Sequence, residues 1–169
     1  HVRSRRQRQM CIRDRNMKTL TQPLWRPPKL NAWSDPLIQE QYWPDRWKMT
    51  VICLCLNMTS GRQVRPILPE LFRRWPNPVA MKHAHDETLK TLIKPLGFVN
   101  KRSQALKRMS SDWIEKDWKS VKELYGCGQY AEDSDMIFYQ GSLSLEPQDL
   151  SLIHISEPTR HSSISYAVF

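Results

Sequence analysis

One stretch constrains the fold of this chain more than any other, the apolar run at residues 49–58. At ten residues this run is too short to cross a bilayer, which takes about 20 apolar residues in helical form. Pro44-Asp45 is a helix start, and apolar side chains lie nearly all round the helix that follows it to Leu56. A helix without a polar face must be enclosed by other helices. The run therefore predicts the central buried helix of one domain.

The rest of the middle of the chain is also predicted to be helical. Only 5 of the 169 residues are Gly, and the apolar residues fall mostly at helical spacings. These patterns predict an all-α domain of about eight short helices. Besides the central helix, the expected helices run from Ser34-Asp35-Pro36 to about Tyr42, over 62–75, from an Asp86 cap to Ile93, over 100–117, as one turn at 121–124, and over 130–139. Pro66 and Pro69 should kink or shorten the helix at 62–75.

The formal net charge of +9 suggests a nucleic-acid partner, but this charge is unevenly distributed. Residues 1–16 hold six Arg against one Asp, and residues 150–169 are balanced. Residues 17–149 hold 19 Lys and Arg against 15 Asp and Glu, so the middle is only mildly basic. Charge alone does not establish a DNA-binding function.

The cysteines are not spaced as metal ligands. Cys53 and Cys55 lie inside the apolar run, where small thiols are commonly buried, and no C-x-x-C pair occurs. This spacing argues against a structural zinc or an iron–sulfur cluster. The arginine-rich N-terminus lacks the apolar stretch of a signal peptide, so we expect an intracellular protein with reduced thiols.

Both ends of the chain differ from its middle. Residues 10–15 (MCIRDR) and 150–160 (LSLIHISEPTR) resemble peptides produced when sequencing-adapter DNA is translated. The alternatives are a basic nuclear-import arm at the N-terminus and a Ser-rich disordered tail at the C-terminus. We expect three segments: a non-native or disordered basic arm at 1–16, the globular domain at 17–149, and a non-native or disordered tail at 150–169.

The functional signal lies in residues 124–131 (LYGCGQYA), which follow the pattern L-x-G-x-G between two predicted helices. Gly126 and Gly128 permit a tight turn and let backbone approach a ligand closely. The unsatisfied N–H groups at the start of the next helix, from Gln129 on, can then hold a phosphate. Such a contact positions DNA without reading its sequence. Taken alone, the pattern favours a bare helix–glycine–helix connection.

Three further segments accompany this hairpin in order, namely L-N-x-T-S-G at 56–61, K-P-L-G at 94–97 and E-P-Q-D at 146–149. Together they resemble the glycosylase domain of the methyl-CpG-binding-domain mismatch glycosylases, in the helix-hairpin-helix DNA glycosylase superfamily. The resemblance covers about residues 25–149. It implies the helix-hairpin-helix glycosylase fold and a monofunctional enzyme that removes thymine or uracil mispaired with guanine from double-stranded DNA. It also implies base-excision repair in the nucleus by a monomer that uses neither cofactor nor metal and has no membrane association.

The resemblance assigns catalysis to Asp149. The family's carboxylate lies in a Pro-x-Asp step past the hairpin helix, which matches Pro147-Gln148-Asp149. A carboxylate there can stabilise an oxocarbenium-like sugar and orient or deprotonate the attacking water. Without the resemblance, this step would be a turn with Asp149 as a helix cap.

The resemblance also assigns a base pocket to Gln39, Ile38 and Tyr130. The Gln39 carboxamide both donates and accepts, which suits the polar edge of a flipped thymine or uracil, although a lone Gln is usually on the surface. Tyr130 stands where lyase-competent relatives have a Schiff-base lysine, and it cannot form an imine. This implies hydrolysis that leaves an abasic site, with Tyr130 as a pocket wall. The alternative role of Tyr130 is to pack the hairpin onto the core.

The remaining assigned residues would contact DNA. Phe98 matches a loop that wedges into the base stack beside the flipped base, and a core aromatic is the alternative. Met58 stands where the family has Arg in the loop that plugs the gap left by the extruded base. Methionine can fill that volume but cannot hold phosphates or the widowed guanine. The predicted DNA-contacting set is Met58, Thr59, Ser60 and Gly61; Leu96, Gly97 and Phe98; and Gly126, Gly128 and Gln129.

One departure from the family follows Asp149. The family begins a helix there with His, Leu, Asn and Lys, whereas this chain continues from Leu150 into the adapter-like tail. We therefore expect a truncated domain whose C-terminal helix is missing. Two other classes of function stay open. One is a helix-hairpin-helix module that binds DNA without catalysis. The other is a helical protein–protein scaffold, which the two-glycine hairpin in a mildly basic domain disfavours.

Overall fold

A computed structural model of the chain describes residues 38–141. This part is helical and contains no strand, which confirms the all-α fold and its number of short helices. Among these residues no helix is both long and apolar enough to cross a membrane. The eight α-helices are α1 (Ile38–Tyr42), α2 (Arg46–Leu56), α3 (Gly61–Val64), α4 (Leu68–Arg74), α5 (Pro78–Lys82), α6 (Asp86–Ile93), α7 (Val99–Glu115) and α8 (Gln129–Phe138), with 3₁₀ turns at Lys94–Leu96 and Val121–Glu123.

Several predictions concern residues outside this range. They are the helix start at 34–36, the catalytic assignment of Asp149, and the two end segments at 1–16 and 150–169. These expectations therefore remain predictions from the sequence.

Helix α2 is the centre of the domain, as its apolar sequence predicts. The Asp45 side chain accepts a hydrogen bond from the Lys48 N–H at 3.0 Å and so caps the first turn. Residues 49–55 are all buried. Helices α1, α7 and α8 pack against α2, so every face of this helix is covered.

An ion pair joins the start of α2 to α8. Arg46 donates from Nε and Nη2 to the two carboxylate oxygens of Asp135, at 2.5 and 2.8 Å. The same guanidinium lies over the rings of Trp118 and Tyr139, 4.8 and 4.7 Å from their centroids. The Asp135 side chain is 3% exposed and also accepts from Gln140. Since α8 follows the hairpin directly, this pair fixes the hairpin against the core.

The predicted helix at 62–75 is two helices, α3 and α4. Pro66 lies between them and cannot donate a backbone hydrogen bond, so the predicted shortening of the helix is confirmed there. Pro69 lies in the first turn of α4, where a missing N–H breaks no hydrogen bond within the helix. The predicted cap of α6 is wrong by one residue. His85 holds the cap position, and Asp86 is the first helical residue.

Helix α5 is absent from the sequence prediction. Its five residues are too few for a helical period to emerge. The signal that could have revealed it is Asn77-Pro78, a cap residue followed by proline at the first helical position. The Asn77 side chain accepts from the Ala80 N–H at 2.9 Å, and α5 packs along α7 through the buried Met81.

Candidate functional site

The structure brings two of the predicted pocket residues into contact. Gln39 Nε2 donates to the Tyr130 hydroxyl oxygen at 2.6 Å across 91 positions of sequence. Gln39 is 1% exposed, so it is not the surface residue that its type alone would favour. The Cys53 thiol lies within hydrogen-bonding reach of Gln39, and burial raises the pKa of this thiol to about 12. The amide is therefore held between a phenol and a neutral thiol.

A carboxamide has two donors and an acceptor oxygen with two lone pairs, so these two contacts leave capacity for a ligand. Ile38, the third predicted pocket residue, is 4% exposed beside Gln39. Its Cδ1 atom would lie 3.3 Å from a Cβ on Gly61. The missing side chain of Gly61 therefore makes room for Ile38, which places this predicted pocket residue against the loop after α2.

The two hairpin glycines differ in what the fold requires of them. Gly126 has a φ of +78°, in the left-handed region, and its Cβ would lie 3.2 Å from the Cβ of Ala105. Gly128 has a φ of −117°, which any residue adopts, and no atom lies within 4 Å of the position of its Cβ. The fold thus accounts for glycine at 126. At 128 it leaves open space through which another molecule can approach the backbone.

Helix α8 begins directly after this open space. Gly128 supplies no side-chain cap, and the first N–H groups of a helix have no acceptor within the helix. The Gln129 side chain is fixed, since it accepts from Lys122 Nζ at 3.0 Å and donates to Asp133 Oδ1 at 2.7 Å. The start of α8 is thus rigid, and its backbone donors suit an anion.

Met58 and Phe98, hereafter the loop tips, protrude beside the hairpin. Their exposed fractions are 88% and 63%, so Phe98 is not a core aromatic. Both have left-handed backbone, with φ of 55° and 47°. A non-glycine residue in this region costs about 1–3 kcal/mol and is commonest at functional contacts. The loop tips and Gly126 border one cleft of about 260 Å³, which brings together the three segments predicted to contact DNA.

The other predicted DNA-contact residues are placed differently. The Thr59 hydroxyl donates to the Leu96 carbonyl oxygen at 3.1 Å and so links the two loops. Leu96 itself is 4% exposed, so its side chain belongs to the core. Ser60 is exposed at the start of α3, where its hydroxyl donates to Gln63 Oε1 at 2.9 Å. Gly97 has a φ of 72° and open space around it. Of these, Ser60 and Gly97 face outward.

Arg102 is a buried residue that was not predicted from the sequence. It is 5% exposed and donates to both loops. It lies on the buried face of α7 with Leu106, Met109 and Trp113, at spacings of a helical repeat. An arginine at a position of the helical repeat that is otherwise apolar is the sequence signal that could have identified it. Burial lowers the pKa of this guanidinium below its usual value.

Two carboxylates are buried among the described residues, Asp133 and Asp135. Asp135 is held by Arg46, and Asp133 accepts from Gln129. A carboxylate committed to a bidentate ion pair is not free to meet a cationic sugar. Asp135 is therefore not a candidate for the catalytic group, and Asp149 lies outside the described residues.

The described residues form helices around a buried central helix, and an open two-glycine hairpin leads into a helix without a side-chain cap. This arrangement defines a helix-hairpin-helix protein. The family model of the HhH-GPD superfamily base excision DNA repair proteins matches residues 51–158, and the chain belongs to this family. The matched stretch includes the hairpin and Asp149.

Three relatives are similar to this chain. A methyl-CpG-binding domain protein 4-like protein of Arabidopsis thaliana is 36% identical over 125 residues, 70% of this chain and 28% of the relative. A thymine/uracil-DNA glycosylase of Pyrobaculum aerophilum is 34% identical over 94 residues, 52% of this chain and 41% of the relative. A thymine-DNA glycosylase of Aeropyrum pernix is 31% identical over 106 residues, 58% of this chain and 47% of the relative. The chain spans less than half the length of each relative.

Proposed function

We propose that this chain is a monofunctional DNA glycosylase of base excision repair in the nucleus. It hydrolyses the N-glycosidic bond of thymine or uracil mispaired with guanine in double-stranded DNA, and it acts as a monomer. The observation that carries the proposal is the contact between Gln39 and Tyr130, which sets a buried amide against the first turn of the hairpin helix. The names of the two archaeal relatives, which specify thymine or uracil, support the choice of base.

The first step of the proposed reaction is anchoring of the DNA backbone. The N–H groups at the start of α8 hold a phosphate, and the space in front of Gly128 admits it. This contact carries no sequence information, so it serves any duplex. It brings a nucleotide of the bound strand to the cleft that the loop tips border.

The second step is base extrusion. A base within a duplex cannot reach a buried amide, so the target nucleotide must leave the stack. We assign the filling of the vacated space to Met58 and the wedging beside it to Phe98, because these are the exposed apolar side chains at the cleft. The Gln39 amide then pairs with the polar edge of the flipped pyrimidine, and Tyr130 forms a wall of its pocket.

The last step is hydrolysis. We assign to Asp149 the stabilisation of the oxocarbenium-like sugar and the activation of water. Tyr130 has no amine and cannot attack the sugar to form an imine, so the product is an intact strand with an abasic site.

The proposal is tested by single-turnover incubation with end-labelled G·T and G·U duplexes, using the chain with the residues after Asp149 replaced by a family-like helix start that contains His, Leu, Asn and Lys. We expect strand breaks only after alkali, because the abasic site is the product and no lyase step follows. Matched A·T and G·C duplexes serve as controls. Strand breaks without alkali, or a borohydride-trapped covalent complex, would contradict the monofunctional assignment. Binding without excision would support a DNA-binding module, and a chain that neither binds nor excises would support a scaffold.

The two hairpin glycines provide a second prediction. We expect Gly128→Ala to leave thermal unfolding unchanged but to weaken binding of matched and mismatched duplexes alike, since its Cβ would meet the phosphate backbone and no protein atom. Gly126→Ala is expected to destabilise the fold by about 1–2 kcal/mol from its left-handed backbone alone. Thermal unfolding and duplex titration check both variants. A loss at Gly128→Ala that is confined to mismatched DNA would contradict the phosphate contact.

A further inference from the structure

The loop tips, Met58 and Phe98, require an explanation that their own side chains do not provide. Neither residue is glycine, yet both have left-handed backbone. Both side chains project into solvent and gain little packing within the domain. Backbone strain of this kind persists only where the neighbouring structure enforces it. Some group inside the domain must therefore hold both tips.

Arg102 is the group that contacts both loops. Its guanidinium donates to the residues on either side of the first tip, to the Asn57 carbonyl oxygen at 2.5 Å and to Thr59 Oγ1 at 2.9 Å. It also donates to the carbonyl oxygens of the two residues before the second tip, to Leu96 and, at 2.6 Å, to Gly97. One side chain thus determines the path of the backbone at both tips.

The acceptors explain why a buried cation is tolerated here. Asn57 follows the last residue of α2, and Leu96 and Gly97 close the 3₁₀ turn before α7. The last carbonyl groups of a helical segment lack intrahelical donors and carry partial negative charge. The guanidinium satisfies these oxygens, and they in turn stabilise its charge. The bridge from the Thr59 hydroxyl to the Leu96 carbonyl, at 3.1 Å, closes the network.

We propose that Arg102 is a positioning residue for DNA engagement, which locks Met58 and Phe98 in a fixed relation so that they enter the duplex together. This inference rests on the proposed function, and it adds the group that organises the DNA-facing surface. The cleft between the tips also borders Gly126, so the locked pair is aligned with the hairpin. A pair of tips ordered before binding does not lose conformational freedom on binding, and this raises affinity.

Arginine and lysine differ at such a position. A guanidinium presents five N–H donors in a rigid planar fork, whereas an ammonium is a compact charge on a flexible stem. Arg102→Lys therefore keeps the buried charge but cannot reach the acceptors of both loops at once. This variant therefore tests the contacts to both loops without removing the positive charge.

The first experiment introduces Arg102→Lys into the chain that carries the same family-like end after Asp149, and compares it with its parent by amide hydrogen exchange and by single-turnover excision from a G·U duplex. We expect exchange to rise at residues 57–60 and 97–99 together. Excision should fall about 10²-fold, which is a common consequence of a small displacement remote from the chemistry. Thr59→Val removes one member of the same network and should change both measurements in the same direction but less. It also serves as the test if Arg102→Lys does not fold.

The matched control is Arg73→Lys. Arg73 is an exposed arginine on α4 whose guanidinium makes a bidentate contact with Glu70, and it lies outside the proposed site. The same substitution there should leave hydrogen exchange at both loops and excision unchanged. A similar loss in both variants would mean that the effect belongs to arginine replacement in general, and the positioning role would be wrong.

A chain in which both loop tips are truncated distinguishes a positioning role of Arg102 from general stabilisation of the fold. When both tips are truncated by Met58→Ala and Phe98→Ala, Arg102→Lys should cost little further duplex affinity, because the groups through which it acts are gone. An equal loss on both backgrounds would overturn the proposal, as would exchange raised throughout the domain or unchanged excision in Arg102→Lys. A parent chain that neither binds nor excises a mismatched duplex would instead overturn the proposed function, and this inference with it.

Discussion

Asp149→Asn is expected to lower the excision rate by about 10²–10⁴-fold and to leave mismatch binding nearly intact. The amide is close to isosteric with the carboxylate, so the shape of the site is kept. It lacks the negative charge that meets an oxocarbenium-like sugar, and it cannot take a proton from water. The two measurements are single-turnover excision from a G·T duplex and titration of the same duplex.

The role of Asp149 is best tested by comparing two chains. One is the 169-residue chain itself. The other has the residues after Asp149 replaced by a family-like helix start that contains His, Leu, Asn and Lys, which we propose holds the carboxylate in place. We expect Asp149→Asn to lower the excision rate by this factor in the second chain. We expect little activity to lose in the first, since a working site must be held within about 0.5 Å.

A carboxylate control for this test is Asp86→Asn. Asp86 is exposed in the first turn of α6, where it pairs with Lys107, and it is not among the predicted pocket or DNA-contact residues, so an amide there should leave the chemical step in place. Full activity in Asp149→Asn with the family-like end would remove Asp149 as the catalytic group. Robust excision by the 169-residue chain would show that residues 150–169 support the site.

The central helix and the boundaries of its neighbours could be predicted because their signals are local. The apolar run and the Asp45 cap lie within one segment, and Pro66 interrupts the next. Helix α5 escaped prediction because five residues do not display a period. The sequence predicts an element well where that element contains its own signal.

The site was less accessible to sequence reasoning, because its contacts are long-range. The partners Gln39 and Tyr130 are 91 positions apart, and only the family resemblance placed them together. Arg102 and Asn57 are 45 positions apart. The pattern of α7 shows that Arg102 is buried, but it cannot show which carbonyl groups it meets. Nor does sequence reveal left-handed backbone at Met58 and Phe98, since neither is a glycine.

The largest expected effect on stability belongs to the pair that holds the hairpin helix. Asp135→Ala should lower the free energy of unfolding by about 3–5 kcal/mol, the usual cost of removing one partner of a buried ion pair. The loss is large because the Arg46 guanidinium stays in place between Trp118 and Tyr139 without its carboxylate. The free energy of unfolding of a domain of this kind is about 5–15 kcal/mol, so chemical denaturation should detect the change easily.

A control variant and a double variant test whether the loss of stability comes from the buried ion pair. Glu70→Ala removes a carboxylate that also accepts from two arginines, but on the surface of α4, so it should change stability little. Arg46→Met combined with Asp135→Leu should recover much of the loss, because replacing both partners leaves no uncompensated charge. If Asp135→Ala costs no more than Glu70→Ala, the pair does not hold α8. If it does hold α8, Asp135→Ala should also weaken duplex binding at temperatures where the variant remains folded, since the turn that we propose binds a phosphate moves with this helix.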